Sequence, residues 1–402
     1  MVKRRRRRKN YSANILIFMC LLLICLLIIS RCQACNHDDL AATNNPTSDK
    51  ATNNTSSAAV ISQPAVSSSA AANLTDLVID YGEAVSPGKA GLRKWPEQSC
   101  IEIIHQADLQ QYRGRSSDQQ PLKGILIILD PGHGGQDSGA CYPPNAAQPT
   151  VIEKTVTLAV GLKTRTALEK LGATVIMTRE NDDWVSLYKR IGLTGETILN
   201  RYKAELPAAG RKSGKIDHLQ PLLDTVININ SDAADSGGRG IFKGIGAIED
   251  QRLIMDIESQ YPDALFISMH CNALENDTNC SGLQVYYESS DKVYAVESET
   301  AKYSDPQANP PGYTLYDDEG RLRLATAIHD SIISELPELN YHGEQSVLDG
   351  DYAVLRETNL TNILIEMGFI TNDEDRKLLQ TASSQQQIAD AVAQAVFSYY
   401  CR

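Results

Sequence analysis

The feature that most limits the possible folds is residues 124–130, Gly-Ile-Leu-Ile-Ile-Leu-Asp, a continuous apolar run that ends in a glycine-rich turn. A run of strand length with no polar face fits a strand buried on both sides. Such a strand needs cover above and below, and the following sequence supplies it. Residues 153–171 carry Val156, Val160, Ala167 and Leu171 on or near one helical face, and Gly172 stops the helix. Residues 173–177 form a second apolar strand, 184–206 a helix, 264–268 a third buried strand and 283–287 a fourth. Residues 321–336 read as a helix, 352–355 and 362–365 as strands, and 385–400 as a closing helix. Strands alternating with helices predict an α/β fold, a central, mostly parallel, twisted sheet covered by helices on both faces. In such sheets a ligand sits beyond the carboxyl ends of the strands.

Ahead of this region the chain changes character twice. Lys3, Arg4 to Arg8 and Lys9 place seven cations in the first nine residues, and residues 15–29 are fifteen apolar residues without a break. A basic stretch followed by an apolar one is the export pattern, with the basic end kept inside. Residues 1–35 are therefore expected to be a signal peptide or a signal anchor, which links the chain to the membrane. Fifteen residues is short for a span, whereas 12–30 reaches one, so both outcomes stay open. Residues 36–75 are rich in Ala, Ser, Thr and Asn and predict a disordered tether. Residues 76–123 are a mixed extension without an assigned role, with a short strand expected at 101–104. Eight of the 38 cations and none of the 50 acids precede Cys35, so the body carries 30 cations against 50 acids. That balance argues against nucleic-acid binding, which needs a basic footprint.

Four polar residues fall where a ligand is expected. His133 follows the first strand, Glu153 opens the first helix, His270 ends the third strand, and Glu366 ends a later one. Two imidazoles and a carboxylate are the donor set of a three-ligand zinc site with an open fourth position. A further carboxylate beside the metal can take and return a proton. Each residue also has a simpler explanation. Thr150 and Glu153 have the spacing of a helix capping box. A His in a glycine-rich turn can bond the backbone, and a lone His270 can be a hydrogen-bonded core residue. Glu366 resists this treatment, because burying a carboxylate among Ile363, Leu364, Ile365 and Phe369 is costly without a partner. Spacing alone leaves these alternatives open.

The motifs around these residues are Asp130-Pro-Gly-His-Gly-Gly-Gln-Asp-Ser-Gly-Ala140, Glu153-Lys154, Met177-Thr-Arg179 and Ser268-Met-His-Cys-Asn-Ala273. Ser281-Gly-Leu-Gln-Val-Tyr-Tyr287 and Leu364-Ile-Glu-Met-Gly-Phe-Ile-Thr-Asn372 follow. In this order they resemble the zinc-dependent N-acetylmuramoyl-L-alanine amidases of the amidase_3 type, bacterial cell-wall hydrolases, over about residues 124–400. The resemblance implies an α/β sandwich over 124–402 and one zinc ion (Zn2+) per chain on His133, Glu153 and His270. It implies Glu366 as the catalytic glutamate. The implied reaction is hydrolysis of the amide between N-acetylmuramic acid and L-alanine, with peptidoglycan as the substrate partner and the body exported to the cell-wall space. A zinc peptidase cutting within the stem peptide is the neighbouring enzyme class, and a wall-binding module without turnover is the non-enzymatic one.

Asn272 and Gln284 are candidates for holding substrate amides, and His342 for lining the cleft. Arg179 and Arg190 are expected to brace the fold. Cys271 stands where the family has a small residue; as a strand neighbour of His270 it points to the other face and is not expected to ligate metal. The largest departure is a long insertion at about 210–258, read as a flap or helix near the cleft. Past residue 35 five cysteines remain, an odd number, and Cys271 and Cys280 lie close enough in sequence to close a small loop.

Overall fold

A computed structural model of the chain describes residues 73–86, 91–233, 236–275, 277–302, 308–341, 343 and 345–402. The expectations for residues 1–35, for the tether up to residue 72 and for His342 lie outside these residues. Among the described residues no helix is long and apolar enough to cross a membrane.

The apolar runs become the middle of a six-stranded sheet. Its strands are β1 (Leu126–Pro131), β2 (Thr174–Met177), β3 (Ala264–Asn272), β4 (Gln284–Tyr287), β5 (Val347–Asp349) and β6 (Thr361–Phe369), in the spatial order β2-β1-β3-β6-β4-β5. The first four of that order are parallel, β4 runs antiparallel to β6, and β5 runs parallel to β4. The pleat sends alternate residues to opposite faces. Ile127, Leu129, Leu265, Ile267, Ile363 and Ile365 enter one core, and Leu126, Ile128, Phe266 and Leu364 the other.

The helices are α1 (Glu153–Lys170), α2 (Leu187–Glu205), α3 (Leu219–Ile229), α4 (Glu249–Glu258), α5 (Ser290–Ala301), α6 (Asp318–Glu335), α7 (Ala353–Arg356), α8 (Asp373–Gln380) and α9 (Ala382–Cys401). α1, α6 and α9 cover the first face through Val160, Ile328 and Val392. α2, α3 and α4 cover the second through Ile198, Leu223 and Ile254. Each such side chain contributes about 1.5–3 kcal/mol when fully buried. A mostly parallel sheet covered on both faces is the expected architecture.

Three local expectations fail. Residues 352–355 are not a strand: the amides of Leu355 and Arg356 bond the Tyr352 carbonyl at 2.8 and 2.9 Å and close the turn α7. Four apolar residues are too few for periodicity to separate the two forms. Residues 101–104 make one bridge, Ile101 to Ile79. The amides of Cys100 and Ile104 donate to the side chains of Asp256 and Gln260, each at 2.8 Å, instead of to a second strand. Cys271 and Cys280 are both free, because Cys271 points into the first core while Cys280 lies beside Asp277. α3 and α4 occupy much of residues 210–258, and α3 packs on α2.

Candidate active site

β1 ends at Pro131, and the chain crosses the carboxyl edge of the sheet. Gly132 lies against His270 so closely that a Cβ would come within 2.2 Å of the imidazole. The next residue, His133, has φ of +63°. That left-handed conformation costs a side-chain-bearing residue roughly 1–2 kcal/mol. Two hydrogen bonds hold it. Arg190 donates to the His133 carbonyl at 2.7 Å, and His133 Nδ1–H donates to Asp137 Oδ2 at 2.7 Å. Asp137 is itself fixed by the Gly139 amide at 3.0 Å. The Asp137 bond sets the tautomer and leaves the Nε2 lone pair facing the cluster.

Glu153 forms no capping box. Ile152 occupies the cap position of α1, and the Thr150 hydroxyl bonds the Tyr142 carbonyl at 3.0 Å. The Glu153 carboxylate instead accepts the Ala140 amide on Oε2 at 2.8 Å and the Cys271 amide on Oε1 at 2.9 Å. Oε1 lies 3.0 Å from His133 Nε2 and 3.1 Å from His270 Nδ1, and these two nitrogens are 3.1 Å apart. One donor atom from each residue thus lies within 4.8 Å of the others.

The electrostatics agree with a cation at this point. Burial alone would lower the His133 imidazole, but Asp137 and Glu153 raise it to about 10. Burial opposes ionisation of Glu153, yet the two imidazoles hold its carboxyl well below the usual range. The cluster draws positive charge to its centre, and imidazole nitrogens with a carboxylate are suitable donors for zinc. The residues present fit such an ion.

Glu366 on β6 is the register partner of His270 on β3, so both side chains leave the same face at the same end. The register of β6 shifts just after it, where Gly368 takes φ of +141°. Bulges of this kind recur beside sites because they re-aim side chains. Oε2 of Glu366 is buried without a hydrogen-bond partner. Burial first, and then the Glu153 charge, push its carboxyl well above the usual range against a partial lowering by His133. His133, His270 and Glu366 line one cavity of about 350 Å³ together with Asp130, Asp137, Trp184, Asp232 and Tyr352.

Residues 127–206 and 249–398 match the sequence model of Amidase_3, described as N-acetylmuramoyl-L-alanine amidase. The chain belongs to the Amidase_3 family. AmiC from Escherichia coli O6:H1 is 24% identical over 323 residues, 78% of this chain and 63% of that protein. AmiC from Neisseria meningitidis is 26% identical over 299 residues, 73% of this chain and 57% of that protein. The chain therefore spans about three fifths of the length of these curated relatives. The germination-specific N-acetylmuramoyl-L-alanine amidase of Bacillus subtilis is 25% identical over 280 residues, 70% of this chain and 81% of that protein. The solved CwlD amidase of Clostridioides difficile, in complex with the GerS lipoprotein, is 23% identical with a TM-score of 0.41, covering 68% of this chain and 98% of that one.

In this Amidase_3 chain Asn272, Gln284, Arg179 and Cys271 fall away from the cavity, whereas Arg190 is among its lining residues. Asn272 Nδ2 donates to Gln284 Oε1 at 2.8 Å, so the two bind each other, and neither is among the cavity-lining residues. Arg179 donates to the carbonyls of Pro131, Gly132 and Lys154 and ties the His133 loop to α1. Cys271 faces the core and leaves the donor set, as its strand position implies. Sequence reasoning missed Asp137, Asp232 and Tyr352. Only Asp137 carried a sequence cue, its place four residues after His133 in the glycine-rich motif.

Proposed function

We propose that the chain is a zinc-dependent amidase that hydrolyses the bond between N-acetylmuramic acid and L-alanine in peptidoglycan, in wall remodelling or turnover. The observation that carries this reading is the meeting of His133, Glu153 and His270 beside the unpartnered carboxyl of Glu366. The names of AmiC and of the germination-specific amidase support the choice of bond. The charge pattern of residues 1–35 supports export, with the body in the cell-wall space, anchored or released.

His133 through Nε2, His270 through Nδ1 and Glu153 through Oε1 would hold the ion. Zinc bound there supplies Lewis acidity toward a carbonyl and lowers the pKa of a water. Glu366 does the proton work: it takes a proton from the attacking water at Oε2 and returns it to the leaving L-alanine amine. Its burial serves the second half of that task, since a carboxyl with raised proton affinity keeps the proton until the amine departs. Asp137 keeps the His133 Nε2 lone pair turned inward. Treating the purified protein with a chelator is expected to stop release of stem peptides from cell wall, and added zinc to restore it. Full turnover by metal-free protein contradicts the reading.

A further inference from the structure

The family match breaks at residues 207–248, and that stretch returns to the cleft at one turn. α3 ends at Asn230, with φ of +48°, and this residue is locked to the cleft rim. Its side chain accepts the Ser186 amide at 2.8 Å and donates to the Trp184 carbonyl at 3.0 Å, while its carbonyl accepts the Trp184 indole N–H at 3.1 Å. Two residues on, Asp232 lines the same cavity as His270 and Glu366. The Asp232 carboxylate faces the amides of Leu187 and Tyr188, and its Oδ1 has no hydrogen-bond partner.

The other acids of this cavity are engaged. Asp130 is bonded by Thr178, Ser268 and Arg190, Asp137 by His133 and Gly139, and Asp351 by Arg356. Arg190 spends its own donors on Asp130 and on the carbonyls of Val185, Pro131 and His133. A ligand therefore meets two carboxyl groups with an oxygen that has no hydrogen-bond partner, the partly buried Glu366 and the insertion's Asp232. The complement of such a wall is an ammonium, which carries three donors and no acceptor.

We propose that Asp232 is a specificity-determining residue that binds a protonated primary amine of the glycopeptide substrate. This rests on the amidase reading of the same cleft. Such an amine comes from the side chain of a diamino acid in the stem or from an amino sugar without its acetyl group. A role for Asp232 limited to capping α2 would weaken every ligand equally, amine or not.

The test is calorimetric titration of the full chain carrying Glu366→Gln, which slows turnover roughly 10²–10⁴-fold, at pH 7. The ligands are a muramyl tripeptide with a free side-chain amine, its N-acetylated form, and the same pair differing only at the sugar nitrogen. At least one amine is expected to bind about tenfold more tightly than its acetylated counterpart, the usual worth of a hydrogen bond to a charged group. The pair that differs names the source of the amine. Adding Asp232→Asn is expected to bring that ratio to about one, with the acetylated ligand bound as before. Should Asp232→Asn not fold, Asp232→Ser keeps an oxygen for the α2 amides and carries the same comparison. Equal affinities in Glu366→Gln, a ratio that survives the second substitution, or a uniform weakening of all ligands overturns the proposal. Amide cleavage by the unsubstituted chain is read separately: its absence sinks the amidase reading, while the affinity ratio still decides the role of Asp232.

Discussion

Glu366→Gln keeps the size of the side chain and removes its proton acceptor, so it separates proton transfer from metal binding. Zinc content is expected to stay near the parental value while turnover falls roughly 10²–10⁴-fold. His270→Ala removes a donor nitrogen and is expected to lose metal and turnover together. Metal analysis and amide cleavage on the same two samples check both, and near-parental turnover of Glu366→Gln rules out the proposed proton route. Gly139→Ala is a stricter probe of the cluster's geometry. Its Cβ would lie 2.5 Å from Glu153 Oε2 at φ of +62°, so metal affinity should fall although no donor is removed. At this scale the sequence singled out His133, Glu153, His270 and Glu366 near the expected edge of the sheet, but spacing left simpler explanations open, and only the resemblance named them together as a site. It did not show that the Glu153 carboxylate would be held by the Ala140 and Cys271 amides. Nor did it place Asp232, which reaches the cavity only through the packing of α3 on α2.

The central strands were legible as apolar runs because both their faces are buried. The elements that went unread are those whose apolar content is slight: α8 is nearly all polar, and the apolar side chain it buries is Leu379. The extension was illegible for another reason, since its amides and side chains bond partners more than a hundred residues away. His105 shows the consequence. Its Nδ1 lies 3.0 Å from Glu205 on α2 and its Nε2 3.0 Å from Asp263, just before β3, so both nitrogens donate only when the ring is charged. Burial favours the neutral ring, but the Asp263 and Glu205 carboxylates outweigh it and raise the pKa. A raised folded-state pKa gives stability that is fully present below the unfolded value of about 6.5 and is lost as pH climbs through the folded value. The gap in Tm between the parent and His105→Gln is therefore expected to be widest below about pH 6.5 and to narrow above it. Thermal melts across that range check this, and a gap that does not change with pH contradicts it.

For the whole molecule, the charge step is the feature that sequence alone reveals best: eight cations and no acid before Cys35, then 30 cations against 50 acids. It predicts that the basic end stays cytoplasmic and the body faces the wall. Protease added to cells with opened walls should degrade the body, and complete protection until lysis contradicts that topology. The proposed chemistry concerns one bond. Mass spectrometry of purified peptidoglycan digested with the zinc-loaded protein tests it most directly. The expected products are glycan chains with free lactyl carboxylates and stem peptides that begin at an intact N-terminal L-alanine, both formed roughly 10²–10⁴-fold more slowly by Glu366→Gln. Stem peptides cut internally while the lactyl amide stays whole would contradict it.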